Sequence, residues 1–198
     1  MENKMLELLK TRRSVRAYKP EQIQAQELDA VLEAGTYAPT GMGMQSPVIV
    51  AVQSPSYRRA VMELNQKARG MEGDPYYGAP TIVLVLADPA RGTCVEDASC
   101  VLCTMMEAAH AVGLASCWIH GEHEMFQLPE GKALLREWGL PQDLRGVGSL
   151  ALGYAAGPLP QPKERKAGYI HKVCESACER SPKKGPFFSF SPRGWFSL

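Results

Sequence analysis

The chain has 198 residues, of which 45% are apolar and 22% charged, and these values exclude a disordered, fibrous or collagen-like protein. A formal net charge of +1 provides no strong field for a polyanion, so we expect no nucleic-acid partner. The sequence contains no run of about 18 apolar residues and no basic-then-apolar leader. It therefore predicts a cytoplasmic protein with no membrane partner.

Length and local composition predict one folded domain followed by a tail. We expect the domain over residues 1–173 and the tail over residues 174–198, where Pro, Ser and aromatic residues are frequent. From Lys163 onward the chain has eight basic and three acidic residues, which indicates either a basic segment beside an anion or a solvated tail. The six cysteines are interpreted as free thiols rather than as a disulfide framework.

Hydrophobic periodicity predicts helices and strands that alternate along the chain. The predicted helices are Glu2–Thr11, a helix through Ile23 and Leu32 that stops at Gly35, Pro55–Ala68, Asp97–Val112 and Gly131–Trp138. The predicted strands are Val48–Val52, Thr81–Ala87, Leu114–Ile119 and Val147–Tyr154. Thr81–Ala87 is almost wholly apolar, which places it at the centre of a sheet. The pattern is typical of an α/β or α+β domain.

Common catalytic and metal-binding motifs are missing from the sequence. It has no P-loop, no G-x-S-x-G elbow and no H-E-x-x-H motif. Gly41 and Gly43 resemble the start of a dinucleotide fingerprint, but they follow a helix and precede a strand, which reverses the order that this fingerprint needs. His120 and His123 have no paired cysteines at zinc spacing, so we expect no metal.

Two basic clusters have the chemistry of an anion site. Arg12, Arg13 and Arg16 surround Ser14 at a predicted helix end, and guanidinium groups suit bidentate contact with phosphate. Lys163 and Arg165 are two residues apart, so an extended chain places them on one face. Each cluster alone is also compatible with a solvated surface.

Five motifs in this order resemble the nitroreductase family of FMN enzymes over residues 5 to 173. They are Arg12–Tyr18, Ala38–Pro47, Asn65, Gly113–Gly121, and Leu152–Tyr154 followed by Pro162–Lys166. The resemblance implies an α+β fold in which helices flank a central, mostly antiparallel sheet. It also implies an intertwined homodimer with two flavin sites at the interface.

The resemblance implies roles for residues on several segments. The arginine and serine motif would hold the flavin phosphate and ring edge through Arg12, Arg13, Ser14 and Arg16. The second basic pair, Lys163 and Arg165, would add to the phosphate site. Asn65 would bind the flavin ring, with a solvated amide on the helix surface as the alternative. The loop residues Pro39, Thr40 and Gly41 would contact the flavin of the other subunit.

This loop departs from the family pattern at two positions. The family often has Ser where Thr40 lies and Asn where Gly43 lies. Gly43 supplies no side-chain amide, so the flavin contacts at that position are expected to differ.

The segment Trp118–Gly121 is the one that the resemblance places at the reacting ring. The backbone N–H groups of His120 and Gly121 would donate to flavin N5 and O4, where charge develops when the ring accepts a hydride. A partly exposed histidine at a strand end is the alternative for His120, and Trp118 is expected in the core.

The resemblance implies an oxidoreductase that passes a hydride from NADH or NADPH through FMN N5 to an electron-poor small molecule by a ping-pong mechanism. A nitroaromatic, a quinone and an activated alkene all fit, and the stretches Met71–Gly78 and Glu122–Gly131 would decide among them. Flavin fragmentation, reductive dehalogenation and non-enzymatic flavin binding remain as alternatives.

Overall fold

The structure is a computed structural model that describes residues 3–173. The predicted tail, with Cys174 and Cys178, lies outside the described residues. The chain divides into two units at the bond between Pro162 and Lys163. Within the described part of the second unit, residues 163–173, the backbone forms neither helix nor strand.

The described residues form six α-helices and four β-strands. The helices are α1 Lys4–Thr11, α2 Ala25–Thr36, α3 Pro55–Arg69, α4 Cys94–Ala111, α5 Glu122–Met125 and α6 Pro129–Glu137. The strands are β1 Val48–Val52, β2 Thr81–Ala87, β3 Ala115–Ile119 and β4 Arg145–Gly153. All four predicted strands are confirmed to within two residues. Helix α5 was not predicted, because four residues are too few to show a helical period.

The four strands form one antiparallel sheet in the order β1-β2-β4-β3. This arrangement confirms the predicted α+β class and the central position of β2. Every residue of β2 is buried. Leu84 packs into a core with α3 and α6, whereas Val83 and Val85 pack into a second core with α2 and α4. Helices therefore cover both faces of the sheet, which explains why β2 is apolar without alternation.

The second helix ends one residue beyond the predicted stop at Gly35. Helix α2 continues to Thr36, and Gly35 is buried inside it. A Cβ atom at Gly35 would lie 2.7 Å from Cγ of Met105 on α4. The glycine thus allows two helices to approach closely, a use that a sequence does not distinguish from a helix end.

The segment after α1 lies along the outer edge of β3. Ser14 forms an isolated parallel bridge with Ser116, and the Val15 N–H donates to the Ser116 carbonyl at 3.1 Å. The Tyr18 hydroxyl donates to the carbonyl of Ala151 on β4 at 3.1 Å. These bonds place the arginine motif beside the strand that leads to His120.

Helix α6 packs against α5 through a glycine. A Cβ atom at Gly131 would collide with the carbonyl oxygen of Met125, which ends α5. Because the obstacle is backbone, a side chain cannot rotate away to relieve the collision.

We predict that Gly131→Ala destabilises the protein by about 1–3 kcal/mol. Helix propensity alone predicts the opposite sign, since Ala is favoured over Gly in a helix by about 1 kcal/mol. Denaturant unfolding measures the difference. Gly92→Ala is the matched control, because nothing lies within 4 Å of a Cβ added there. Equal stability of the two variants would contradict the packing argument.

Candidate functional site

The end of β3 is shaped by a glycine that no other residue can replace without strain. Gly121 has a φ of +119°, a backbone conformation that L side chains rarely adopt. A Cβ atom there would lie 2.6 Å from Cδ of Arg69 and 3.1 Å from Nδ2 of Asn65. The backbone conformation therefore requires glycine between β3 and α5, and a side chain there would also displace Arg69.

The peptide between His120 and Gly121 is held by its carbonyl group. The His120 oxygen accepts from Asn65 Nδ2 at 3.3 Å and from Arg69 Nη1 at 3.4 Å. The peptide is trans, so the Gly121 N–H points away from these two side chains. Among the described residues, neither the His120 N–H nor the Gly121 N–H donates a hydrogen bond. Gly121 is buried and His120 is exposed.

Asn65 holds the His120–Gly121 peptide by donating to its carbonyl oxygen. Its side chain is 0% exposed, so the alternative of a solvated amide is wrong. Its Oδ1 atom is buried and has no hydrogen-bond partner in residues 3–173. An unpaired buried acceptor costs about 1–3 kcal/mol, which is typical of a position kept for a ligand or water.

The arginine cluster also has a buried polar atom without a hydrogen-bond partner. Arg12 Nη1 is buried without a partner in the part of the chain that is described. Arg16 is exposed, and its Cζ lies 5.9 Å from the centroid of the Tyr77 ring. Arg13 is partly committed elsewhere, because its Nη1 donates at 2.7 Å to the carbonyls of Lys10 and Arg12 at the end of α1.

Cys117 connects the cluster to β3. Burial raises the pKa of its thiol, while the charges of Arg16 and Arg12 and a hydrogen bond with Ser14 oppose that rise. Cys117 precedes His120 by three residues, which is about 10 Å along a strand. The arginine cluster therefore lies beside β3, and the His120–Gly121 peptide follows the end of the same strand.

The loop before β1 is fixed by a residue that the sequence analysis did not assign to a site. Asp97 on α4 is 5% exposed, and its Oδ1 accepts from the Gly41 N–H at 2.8 Å. The hydroxyl of Thr40 accepts from the Gln45 N–H at 3.0 Å. Gly43 has a φ of +65°, which both Gly and Asn tolerate.

The predicted site residues are only partly brought together. Within residues 3–173, no hydrogen bond joins Pro39, Thr40 or Gly41 to the His120–Gly121 peptide. Lys163 and Arg165 are exposed in the second unit, where the Arg165 guanidinium donates to the Lys163 carbonyl at 2.6 Å and 3.1 Å. Their predicted role at the phosphate stays a prediction.

Sequence reasoning also missed Glu122, which follows Gly121 directly. Its side chain is 0% exposed, and its Oε1 accepts from the Ser149 hydroxyl at 2.5 Å and from the Tyr76 hydroxyl at 3.4 Å. Burial raises its pKa from 4.5 to about 7, while the Ser149 hydrogen bond opposes the rise. A signal was present, because Glu122, Met125 and Phe126 occupy one helical face and the other two are apolar.

We predict that this carboxyl makes the stability of the protein fall as pH rises from about 4.5 to about 7. In that interval the unfolded chain has lost the proton that the folded chain retains, so folding binds protons and rising pH disfavours it. The full effect is on the order of 3 kcal/mol, from 1.36 kcal/mol per unit of pKa.

Denaturant unfolding from pH 4.5 to 8 tests this, with Glu122→Gln to remove the titration. We expect the variant to gain stability relative to the unsubstituted protein as pH rises. Glu124→Gln, an exposed position on the same helix, should follow the unsubstituted protein. Parallel curves for Glu122→Gln and the unsubstituted protein would refute the buried titration.

None of the helices within residues 3–173 has the length and hydropathy needed to span a membrane.

The chain is similar to known proteins in both sequence and fold. The sequence model of the nitroreductase family matches residues 9–154. A relative from Methanothermobacter thermautotrophicus, provisionally named NADH dehydrogenase/NAD(P)H nitroreductase, is 25% identical over 156 residues, which is 77% of this chain and 78% of the relative.

Two solved structures extend this result. A nitroreductase with bound FMN from Bacteroides fragilis NCTC 9343 is 37% identical with a TM-score of 0.79, covering 87% of this chain and 100% of that one. A nitroreductase with bound FMN from Desulfitobacterium hafniense DCB-2 has the same fold, with 24% identity, a TM-score of 0.79 and the same coverage. The match over most of the described sequence shows that the chain belongs to the nitroreductase family.

Proposed function

We propose that the protein is an FMN-dependent oxidoreductase that uses NADH or NADPH to reduce an electron-poor small molecule. A nitroaromatic, a quinone and an activated alkene are the acceptor classes. Membership of the family supports this function, as do the FMN bound to the similar protein of B. fragilis and the NAD(P)H-linked name of the archaeal relative. A cytoplasmic location stays a prediction.

The observation that carries the proposal is a set of three unpartnered donor groups, two just after the end of β3 and one in the segment beside it. In the described residues, the N–H groups of His120 and Gly121 donate to nothing, and Arg12 Nη1 is buried without a partner. FMN has the complementary groups, a ring edge with the acceptors N5 and O4 and a doubly charged phosphate. The residues present therefore fit this cofactor.

FMN, when bound, would supply the hydride chemistry, taking a hydride at N5 from the nicotinamide and passing it to the acceptor in a second, ping-pong step. The protein contributes donors that are already in place. Asn65 and Arg69 hold the His120 carbonyl, so the Gly121 N–H needs no reorganisation when charge develops beside it. No side-chain acid and base pair is required for this role.

The phosphate is assigned to the arginine motif. Arg12 and Arg16 have guanidinium groups available, whereas Arg13 shares its donors with the end of α1. Ser14 completes the proposed set within the first unit, and the phosphate role of Lys163 and Arg165 stays a prediction. Buried phosphate needs such charge, because an unpaired desolvated anion costs several kcal/mol.

We also propose that the site is completed in a homodimer, to which the second subunit contributes Pro39, Thr40 and Gly41. Large apolar side chains beside this loop are exposed in the single chain, including Met42 at 86% and Tyr37 at 79%. The edge strand β1 is only half-buried. Surfaces of this kind mark protein interfaces, and a two-fold dimer is the commonest closed assembly.

We predict that the purified protein binds about one FMN per chain and that NADH or NADPH bleaches the flavin band. Arg16→Ala should weaken FMN binding at least tenfold, since a hydrogen bond to a charged group is worth about 1.5–3 kcal/mol. Flavin fluorescence titration measures the number of FMN molecules bound per chain and the affinity for FMN. Arg59→Ala, an exposed arginine on α3, is the control, and Lys163→Ala tests the second cluster separately. A protein that stays colourless with added FMN would refute the proposal.

We predict that the backbone rather than the imidazole of residue 120 serves the reaction. His120→Ala keeps the N–H and should lower turnover less than about tenfold, whereas His120→Pro removes it and should lower turnover by about 10²-fold or more. Flavin content and thermal melting of both variants separate this effect from distortion of the strand end. An alanine variant that retains FMN but is as inactive as the proline variant would show that the imidazole takes part.

A further inference from the structure

Glu122 is a fully buried carboxyl that the proposed reaction does not use. Oε1 accepts from Ser149 and Tyr76, and Oε2 has no partner within residues 3–173. Its backbone is packed so closely against β4 that a Cβ atom at Gly146 would collide with the Glu122 carbonyl oxygen. The Glu122 side chain is therefore buried, and its backbone is in direct contact with β4.

Several elements present polar groups to this carboxyl. Helix α3 contributes the positive charge of Arg69, which lowers the Glu122 pKa, and the loop before β2 contributes the Tyr76 hydroxyl. Strand β4 contributes the hydroxyl of Ser149. Burial nevertheless remains the largest effect and keeps the pKa near 7. Tyr76 is itself held neutral, because burial raises its pKa.

A short chain of hydrogen bonds joins Glu122 to the peptide beside the proposed flavin ring. The Tyr76 hydroxyl lies 3.4 Å from Oε1 of Glu122 and 3.4 Å from Nδ2 of Asn65. Asn65 Nδ2 in turn reaches the His120 carbonyl at 3.3 Å and the Met125 sulfur at 3.2 Å. The amide has two hydrogens for three acceptors. The hydrogen that Tyr76 donates to Glu122 therefore affects how firmly Asn65 holds the His120 carbonyl.

We propose that Glu122 is a positioning residue that takes up one proton from solvent when the bound flavin accepts a hydride. The inference rests on the proposed function. The nicotinamide loses the hydride with its two electrons, the flavin gains it, and the carboxylate of Glu122 becomes a carboxylic acid without changing oxidation state. The Tyr76 hydroxyl then donates its hydrogen bond to a neutral carboxyl instead of a charged carboxylate.

The physical reason is repulsion between two negative charges with little water between them. The hydride brings negative charge to a ring that the proposal places at Gly121, the residue next to Glu122. A like charge nearby disfavours an ionised carboxyl, and burial weakens the screening by solvent and salt. Linkage then requires the converse, namely that a proton on Glu122 favours reduction of the flavin.

The test is the equilibrium constant for reduction of FMN bound to the whole protein, measured against a reference dye from pH 6 to 9. Each additional proton taken up makes this constant fall by about a further tenfold per unit of rising pH. In the unsubstituted protein we expect this additional fall of the equilibrium constant above about pH 7. We expect Glu122→Gln to lose it. Glu124→Gln should retain it.

Ser149→Ala provides the second variant, and it decides the question even where Glu122→Gln fails to fold or to bind FMN. It removes a hydrogen bond that favours the ionised carboxyl. The pH interval in which the additional proton steepens the fall of the equilibrium constant should therefore move to higher pH. Infrared difference spectra of the oxidised and reduced protein should contain a carboxylic acid band that is absent in Glu122→Gln.

The two proposals fail differently. A protein that binds no FMN removes both of them. A flavin-loaded protein in which Glu122→Gln keeps the same pH dependence, or in which Ser149→Ala does not move it, overturns the role of Glu122 alone and leaves the proposed function intact.

Discussion

The site depends on the path of the backbone through Gly121. Because this residue has a φ of +119° and no side chain, the preceding carbonyl turns towards α3, where Asn65 and Arg69 hold it. The N–H on the other side of the same peptide plane is left available. A side chain at this position would displace the Arg69 side chain and crowd Asn65. One glycine thus sets both the support and the donor.

The elements that pack against α5, next to this peptide, come from distant parts of the chain. Gly131 lets α6 approach the end of α5, and Gly146 lets β4 approach its start, so both ends of α5 are in close contact with a neighbouring element. A buried acid in such surroundings is costly, and Ser149 and Tyr76 offset only part of that cost. Proteins retain groups of this kind at functional sites, where local stability is traded for chemistry. The position of Glu122 next to Gly121 agrees with that rule.

Sequence reasoning succeeded where one local pattern corresponds to one structure. Short apolar runs predicted all four strands, and the unbroken run Thr81–Ala87 predicted the centre of the sheet. It failed where one residue type serves two purposes. Gly35 has the pattern of a helix end but is a packing contact, and Asp97 begins a predicted helix but holds the Gly41 loop. A glycine or aspartate at a helix end and one that contacts another element look alike in sequence. They differ only in which residues pack against them in the folded protein.

By itself, the sequence determined the family, the strand content and the segment at which β3 ends, because ordered motifs and hydrophobic periods are properties of the chain. Tertiary structure decided which side chains surround that end. Asn65, Tyr76, Glu122 and Ser149 come from four separate segments, and their meeting depends on how α3, α5 and β4 pack. The pKa of Glu122 was likewise invisible in the sequence, since it depends on the exclusion of water by those neighbours. Periodicity reports which face of an element is buried, but only packing determines what that face meets.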